Sequence, residues 1–216
     1  MEEEHLVLHS EGYGIEGRLH TGGNRAVVVT HPHPLYGGDM DNDVVYTIAS
    51  AYRQAGYTTL RFNFRGVGRS EGRYSDGPGE QADVLAAVGE LQARGYQDVT
   101  LSGYSFGVWV NALCAGARLP GIPMTMVAPP AAFMDFGAVT GLAGLDTVIT
   151  GSRDDIAPPE MLKRLTTLWN PSARLEILTG ADHFFYGYLD QLAARLKQVI
   201  DPTATRGAGA EPGDTG

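Results

Sequence analysis

The stretch Asp98-Val99-Thr100-Leu101-Ser102-Gly103-Tyr104-Ser105-Phe106-Gly107-Val108-Trp109-Val110-Asn111-Ala112-Leu113-Cys114-Ala115 decides how this chain is read. Asp98 to Leu101 has the character of a short apolar strand, and Val108 to Ala115 that of a small-residue helix packed against a sheet. Between them Gly103-Tyr104-Ser105-Phe106-Gly107 matches G-x-S-x-G, a turn that holds its serine at a strained backbone angle above the sheet. The glycines remove β-carbons that would collide with the neighbouring strand and helix. With 29 glycines in 216 residues a chance match is easy, so the pentapeptide alone carries little. The strand, turn and helix order around it separates it from an incidental glycine loop and nominates Ser105 as a nucleophile.

Outward from this point, strands and helices alternate. His5 to His9 and Tyr13 to His20 alternate around Ser10-Glu11-Gly12, which predicts an antiparallel hairpin at one edge of a sheet. Arg25 to Thr30 contains Ala26-Val27-Val28-Val29, an apolar run of the kind buried on both faces of a parallel sheet. A helix is expected over Asp43 to Gln54, closed by Gly56, then a strand over Tyr57 to Phe62 and a helix over Gly79 to Arg94 stopped by Gly95. After the serine, strands are expected at Pro123 to Val127, Leu145 to Thr150 and Arg174 to Leu178, and helices at Glu160 to Leu168 and Tyr186 to Ile200. This order predicts a mostly parallel twisted sheet with helices on both faces, whose ligands bind beyond the carboxyl ends of the strands. Residues 1–200 read as a single domain, and 201–216, rich in Gly, Ala, Thr and Pro, as a disordered tail.

Composition narrows the function. Sixteen basic residues stand against 25 acidic ones, a formal charge of −9, and no basic stripe gathers that would neutralise phosphates, so nucleic acid is not an expected partner. No apolar run reaches the roughly 20 residues that span a bilayer, so no membrane association is expected. The start Met1-Glu2-Glu3-Glu4 is opposite in charge to a signal peptide, which leads to a cytoplasmic protein as the expectation. The lone Cys114 reads as a buried, inert thiol.

A serine hydroxyl needs a base to take its proton and a carboxylate to orient that base. The strand Leu145 to Thr150 runs into Gly151-Ser152-Arg153-Asp154-Asp155-Ile156-Ala157-Pro158, and the last strand into Thr179-Gly180-Ala181-Asp182-His183-Phe184-Phe185. Both loops fall at the sheet edge that carries Ser105, so His183 is the expected general base and Asp154 the expected acid. Asp155 is a rival, better explained as a cap of the next helix, and Asp182 a weaker one beside the histidine itself. A tetrahedral oxyanion needs backbone donors, one from Phe106 and one from Thr30-His31-Pro32-His33-Pro34-Leu35-Tyr36-Gly37-Gly38. Because proline lacks an N–H, His33 and Leu35 are the candidates there, with His33 preferred. His31 and His33 share a strand-like spacing suited to zinc, yet no further ligands accompany them. Serine chemistry needs no metal or cofactor, and none is expected.

These signatures resemble the α/β-hydrolase superfamily over residues 13–200. Asn63-Phe64-Arg65-Gly66-Val67-Gly68-Arg69-Ser70-Glu71-Gly72 is similar to its D-x-R-G-x-G-x-S segment, with Asn63 in place of the acid. Gly151 to Pro158 is similar to its G-x-x-D-x-x-x-P acid loop, which favours Asp154. His31-Pro32-His33-Pro34 followed by Gly37-Gly38-Asp39-Met40-Asp41-Asn42 resembles small bacterial predicted esterases related to dienelactone hydrolases. True dienelactone hydrolases carry cysteine where this chain has Ser105, and Pro32 departs from the H-G-G-G loop of lipases.

The resemblance implies an α/β-hydrolase fold. Many members insert a lid after the strand ending near Val127, but only Ala128 to Gly144 intervene here, room for a short helix around Phe133 to Phe136 and no lid domain. An open, shallow site lined by Tyr36, Tyr104, Phe106, Phe133 and Phe184 follows, suited to short-chain acyl esters. The leading expectation is a carboxylesterase acting through an acyl-enzyme on Ser105 upon a small-molecule ester. The scaffold also resembles cofactor-free haloperoxidases and acyltransferases, and a non-catalytic binding module stays open, as does a homodimer.

Overall fold

Eight strands form one sheet in a computed structural model that describes residues 3–201. In chain order they are β1 (Glu4–Ser10), β2 (Tyr13–His20), β3 (Arg25–Thr30), β4 (Thr58–Phe62), β5 (Asp98–Tyr104), β6 (Met124–Val127), β7 (Leu145–Gly151) and β8 (Arg174–Leu178). The spatial order is β1-β2-β4-β3-β5-β6-β7-β8. β2 is antiparallel to both β1 and β4, and every other pairing is parallel. Five helices connect them: α1 (Asp43–Gln54), α2 (Pro78–Ala93), α3 (Phe106–Ala117), α4 (Pro159–Trp169) and α5 (Leu189–Ile200). All but Asp201 of the expected tail lies outside the described residues.

Local chemistry explains these elements. Glu11 and Gly12 both take positive φ, 49° and 88°, the conformation a two-residue hairpin turn requires between β1 and β2. Leu8 and Ile15 face each other in that hairpin and are fully buried, as its alternation demands. Ala26, Val27, Val28 and Val29 of β3 are all 0% exposed, so this strand is covered on both faces. Each of those valines contributes about 1.5–3 kcal/mol of hydrophobic stabilisation. Asn42 caps α1 by accepting the Val44 N–H at 3.0 Å, and Glu80 of α2 reaches back to accept the Gly77 N–H at 2.8 Å. α1 packs on α5 and α2 on α3, which clothes both faces of the sheet.

β3 has β4 on one side and β5 on the other, so the chain reverses its winding direction there and opens a crevice at the carboxyl ends. The segment from Phe106 begins at that crevice. Two expectations need correction. Phe133 to Phe136 form no helix: Phe133 and Met134 both donate to the Pro130 carbonyl, closing a single turn, and the Asp135 carbonyl is taken by the Trp109 indole N–H at 2.7 Å. The last helix begins at Leu189 and not at Tyr186, because Phe185 and Gly187 take positive φ, 55° and 75°, which no helix admits. No helix among the described residues is long and apolar enough to cross a membrane.

Candidate active site

Ser105 sits between β5 and α3 with φ 54° and ψ −123°, a conformation that costs a non-glycine residue about 1–3 kcal/mol. The surrounding ladder imposes it: the Ser105 N–H donates to the Val127 carbonyl of β6 at 3.0 Å, and the Ser105 carbonyl accepts from Val108 at 3.0 Å. Gly103 and Gly107 are needed because a β-carbon at either would collide with the Thr30 side chain at the end of β3.

The Ser105 Oγ lies 2.9 Å from His183 Nε2, and His183 Nδ1 lies 3.0 and 2.9 Å from the two Asp154 carboxylate oxygens. A carboxylate only accepts, so Nδ1 carries the proton and Nε2 is left to accept from the serine hydroxyl. Asp154 is itself fixed by the Ile156 and Ala157 N–H groups at 2.9 and 2.6 Å. The two loops meet because Ser152 donates to the Leu178 carbonyl and Arg153 to the Ala181 carbonyl, with Gly151 leaving room for Ala181. Asp155 is exposed and does not cap α4, whose N-cap is Pro158 with no side-chain bond. Asp182 turns its carboxylate onto the Phe184 N–H at 3.0 Å.

Of the candidate pocket residues, Tyr104 needs correction. Its side chain is 3% exposed and its hydroxyl donates to the His183 carbonyl at 2.9 Å, so it offers no surface to a substrate and instead ties β5 to the histidine loop. Burial raises the Tyr104 phenol pKa, and the Asp154 and Asp182 charges raise it further, so it stays a donor. Phe106 is likewise buried, with its ring 4.8 Å from that of His33. Tyr36, Phe133 and Phe184 are exposed, on the turns that follow β3, β6 and β8. Phe184 lies edge-on to His183 and stacks with Tyr186, an exposed ring that the sequence reading did not single out. A groove of about 490 Å³ between residues 131–140 and α4 includes none of Ser105, His183 or Asp154.

In the loop after β3, hydrogen bonding distinguishes the two donor candidates. The Leu35 N–H is spent on His33 Nδ1 at 3.2 Å, and the Tyr36 and Gly38 N–H groups on the His33 carbonyl, each at 3.1 Å. The N–H groups of His33 and Phe106 donate to no other described residue. His31 is buried and uses both ring nitrogens: Nδ1 donates to the Pro32 carbonyl at 2.7 Å and Nε2 accepts from the Phe64 N–H at 2.9 Å. Neither nitrogen retains a lone pair for a metal. Burial holds its pKa down to about 4, partly opposed by the bond to Pro32, so it is neutral. The segment Asn63 to Gly72 braces the end of this loop, with Asn63 accepting the Met40 N–H at 2.8 Å, and is itself tied to α2 by Arg65, paired to the buried Asp83 at 2.8 Å.

No family model matches the chain. An uncharacterised protein of Rickettsia prowazekii is 37% identical over 184 residues, 80% of this chain and 77% of that one. Among solved structures, an α/β serine hydrolase homologue from Coxiella burnetii is 32% identical with a TM-score of 0.84, over 92% of this chain and 97% of its own. The chain belongs to the α/β serine hydrolases. A member of that family without a lid, from Xanthomonas campestris, is 30% identical with a TM-score of 0.85, over 98% of both chains. As an α/β serine hydrolase this chain joins β6 to β7 by residues 128–144 alone, so nothing folds over the crevice from the position where other members place a lid.

Proposed function

We propose that this hydrolase is a carboxylesterase that cleaves short-chain acyl esters through an acyl-enzyme on Ser105. The carrying observation is the unbroken row of hydrogen bonds from Ser105 Oγ through His183 to Asp154. His183 Nε2 takes the serine proton as Oγ bonds to the ester carbonyl carbon, and the carbonyl electron pair moves onto oxygen. The Phe106 and His33 N–H groups stabilise that oxyanion. On collapse the C–O bond to the alcohol breaks and His183 returns the proton to the leaving oxygen. A water then enters and loses its proton to the same nitrogen as its oxygen bonds to the acyl carbon; the bond from that carbon to Ser105 Oγ breaks, His183 returns the proton to Oγ, and the carboxylic acid leaves. Asp154 holds the imidazole in the tautomer this requires and stabilises the imidazolium.

The exposed rings of Tyr36, Phe133 and Phe184 form an open rim in this reading, which favours small acyl groups on a small-molecule ester over long chains that need an enclosed channel. The test is labelling with a fluorophosphonate, located by peptide mass spectrometry, alongside hydrolysis of nitrophenyl esters from acetate to octanoate. Label on Ser105 and a short-chain optimum are expected, with Ser105→Ala losing on the order of 10⁶-fold in turnover. Full turnover by folded Ser105→Ala would end the reading.

A further inference from the structure

His33 is held at both ring nitrogens. Because Nδ1 accepts from the Leu35 N–H at 3.2 Å, the ring proton sits on Nε2, which faces the Tyr74 hydroxyl oxygen at 3.2 Å. Tyr74 in turn donates to Asp76 Oδ1 at 2.9 Å. Every proton in this row points the same way, from the backbone of Leu35 through imidazole and phenol to a carboxylate.

Both ends of the row are fixed. Asp76 and Gly77 take φ of 59° and 113°, and the fully buried Glu80 carboxylate clamps this strained turn by accepting from Ser75 N, Ser75 Oγ and Gly77 N at 2.8–2.9 Å. Gly77 also lies against the Trp109 ring, where a β-carbon would stand 2.7 Å away. At the other end, Pro32 and Pro34 flank His33, and its carbonyl accepts from Tyr36 and Gly38. The His33 ring lies 4.8 Å from the Phe106 ring and the Tyr74 ring 5.9 Å from it. The side chains of the two residues with unspent N–H groups are therefore packed together, and Tyr74 is wedged against both.

We propose that Tyr74 and Asp76 are positioning residues of the oxyanion site, which fix the His33 backbone N–H through the His33 ring. The proposal rests on Ser105 as nucleophile and on the His33 N–H as one oxyanion donor. It also explains the aromatic side chain between two prolines: the ring, not the N–H alone, is what the neighbouring loop grips. Protonating His33 would put a second proton on Nδ1, directly opposite the Leu35 N–H, and break the grip. Burial opposes that proton, while Asp76 and Glu80 favour it and Tyr36 and Tyr74 complete the ionisable surroundings.

The experiment compares Tyr74→Phe, Asp76→Ala and Asp76→Asn with the wild-type enzyme on nitrophenyl acetate. It also measures inhibition by an aryl trifluoromethyl ketone, which forms a hemiketal oxyanion on the serine. Tyr74→Phe and Asp76→Ala should lower kcat by about 10- to 100-fold with KM within twofold. The ketone inhibition constant should rise by the same factor as kcat/KM falls. Asp76→Asn, which keeps the acceptor for Tyr74, should stay within about threefold of wild type. A folded Tyr74→Phe or Asp76→Ala with wild-type kcat overturns the proposal, as does a loss of kcat that leaves ketone affinity unchanged. If either variant fails to fold, the other decides. Failure of the underlying reading looks different: Ser105→Ala would turn over normally, or the ketone would not inhibit the wild-type enzyme.

Discussion

Tyr104 precedes the nucleophile by one residue, yet its hydroxyl is spent 79 positions away, on the His183 carbonyl at 2.9 Å. One side chain thus couples the strand that presents the serine to the loop that presents the imidazole. Deleting only that oxygen, in Tyr104→Phe, removes about 1 kcal/mol of net hydrogen bonding and leaves a buried carbonyl unpaired. The expected outcome is a fall in kcat of about 5- to 10-fold on nitrophenyl acetate with a smaller change in KM, since the lost bond holds the His183 backbone and reaches the neighbouring Phe184 only through it. Steady-state kinetics checks it, and an unaltered kcat would remove Tyr104 from the site. This role was not legible in the sequence, where Tyr104 is one aromatic residue beside Ser105 and nothing reveals which distant loop its hydroxyl reaches. The same holds for Tyr74. By contrast, Ser105, Asp154 and His183 each follow a strand by a few residues, so their shared edge could be read before any side-chain geometry was known.

The elements were legible where burial and periodicity agreed, as in β3, whose four apolar residues are covered on both faces, and in α1 between Asn42 and Gly56. They were misread where length alone left room for an element: residues 128–144 could hold a short helix around Phe133 to Phe136, but Phe133 is exposed on a turn and Phe136 is buried against Trp169. The joint between β3 and β4 depends on a residue whose protonation the sequence does not reveal. His31 bridges the two strand ends only as the neutral tautomer that donates to Pro32 and accepts from Phe64. Its pKa is about 4 in the folded chain against 6.5 when unperturbed, so between these values the unfolded chain holds more protons. Stability therefore falls as pH drops through that window, by up to about 1.4 kcal/mol per unit and about 3 kcal/mol in all, and His31 adds no further loss below it. Urea unfolding at intervals from neutral pH to about pH 4 should show this slope in the wild-type protein. His31→Asn should start less stable and lose correspondingly less, whereas parallel curves would acquit His31.

At the scale of the whole molecule, the sheet brings its buried site to the carboxyl ends of its strands, where the β6–β7 connection supplies no lid domain. Residues 128–144 pass directly from β6 to β7, the Asp135 carbonyl is pinned to Trp109, and the groove beside α4 excludes Ser105. With no lid domain among the described residues to move aside, binding at an oil–water interface has no closed state to open, so interfacial activation should be absent. Hydrolysis of tributyrin should rise hyperbolically with concentration and continue smoothly through the solubility limit. Acyl length gives the matching energetic test. A methylene that enters an apolar channel gains about 0.8 kcal/mol, roughly fourfold in kcat/KM, while one that lies beyond an exposed rim stays in water and gains nothing. If Tyr36, Phe133 and Phe184 form the proposed rim, they should still cover the chain from acetate to butyrate. From butyrate to octanoate kcat/KM should level off or fall. A burst of activity at the solubility limit, or a continued fourfold gain per methylene, would mean that the protein encloses its substrate and that the open-site reading is wrong.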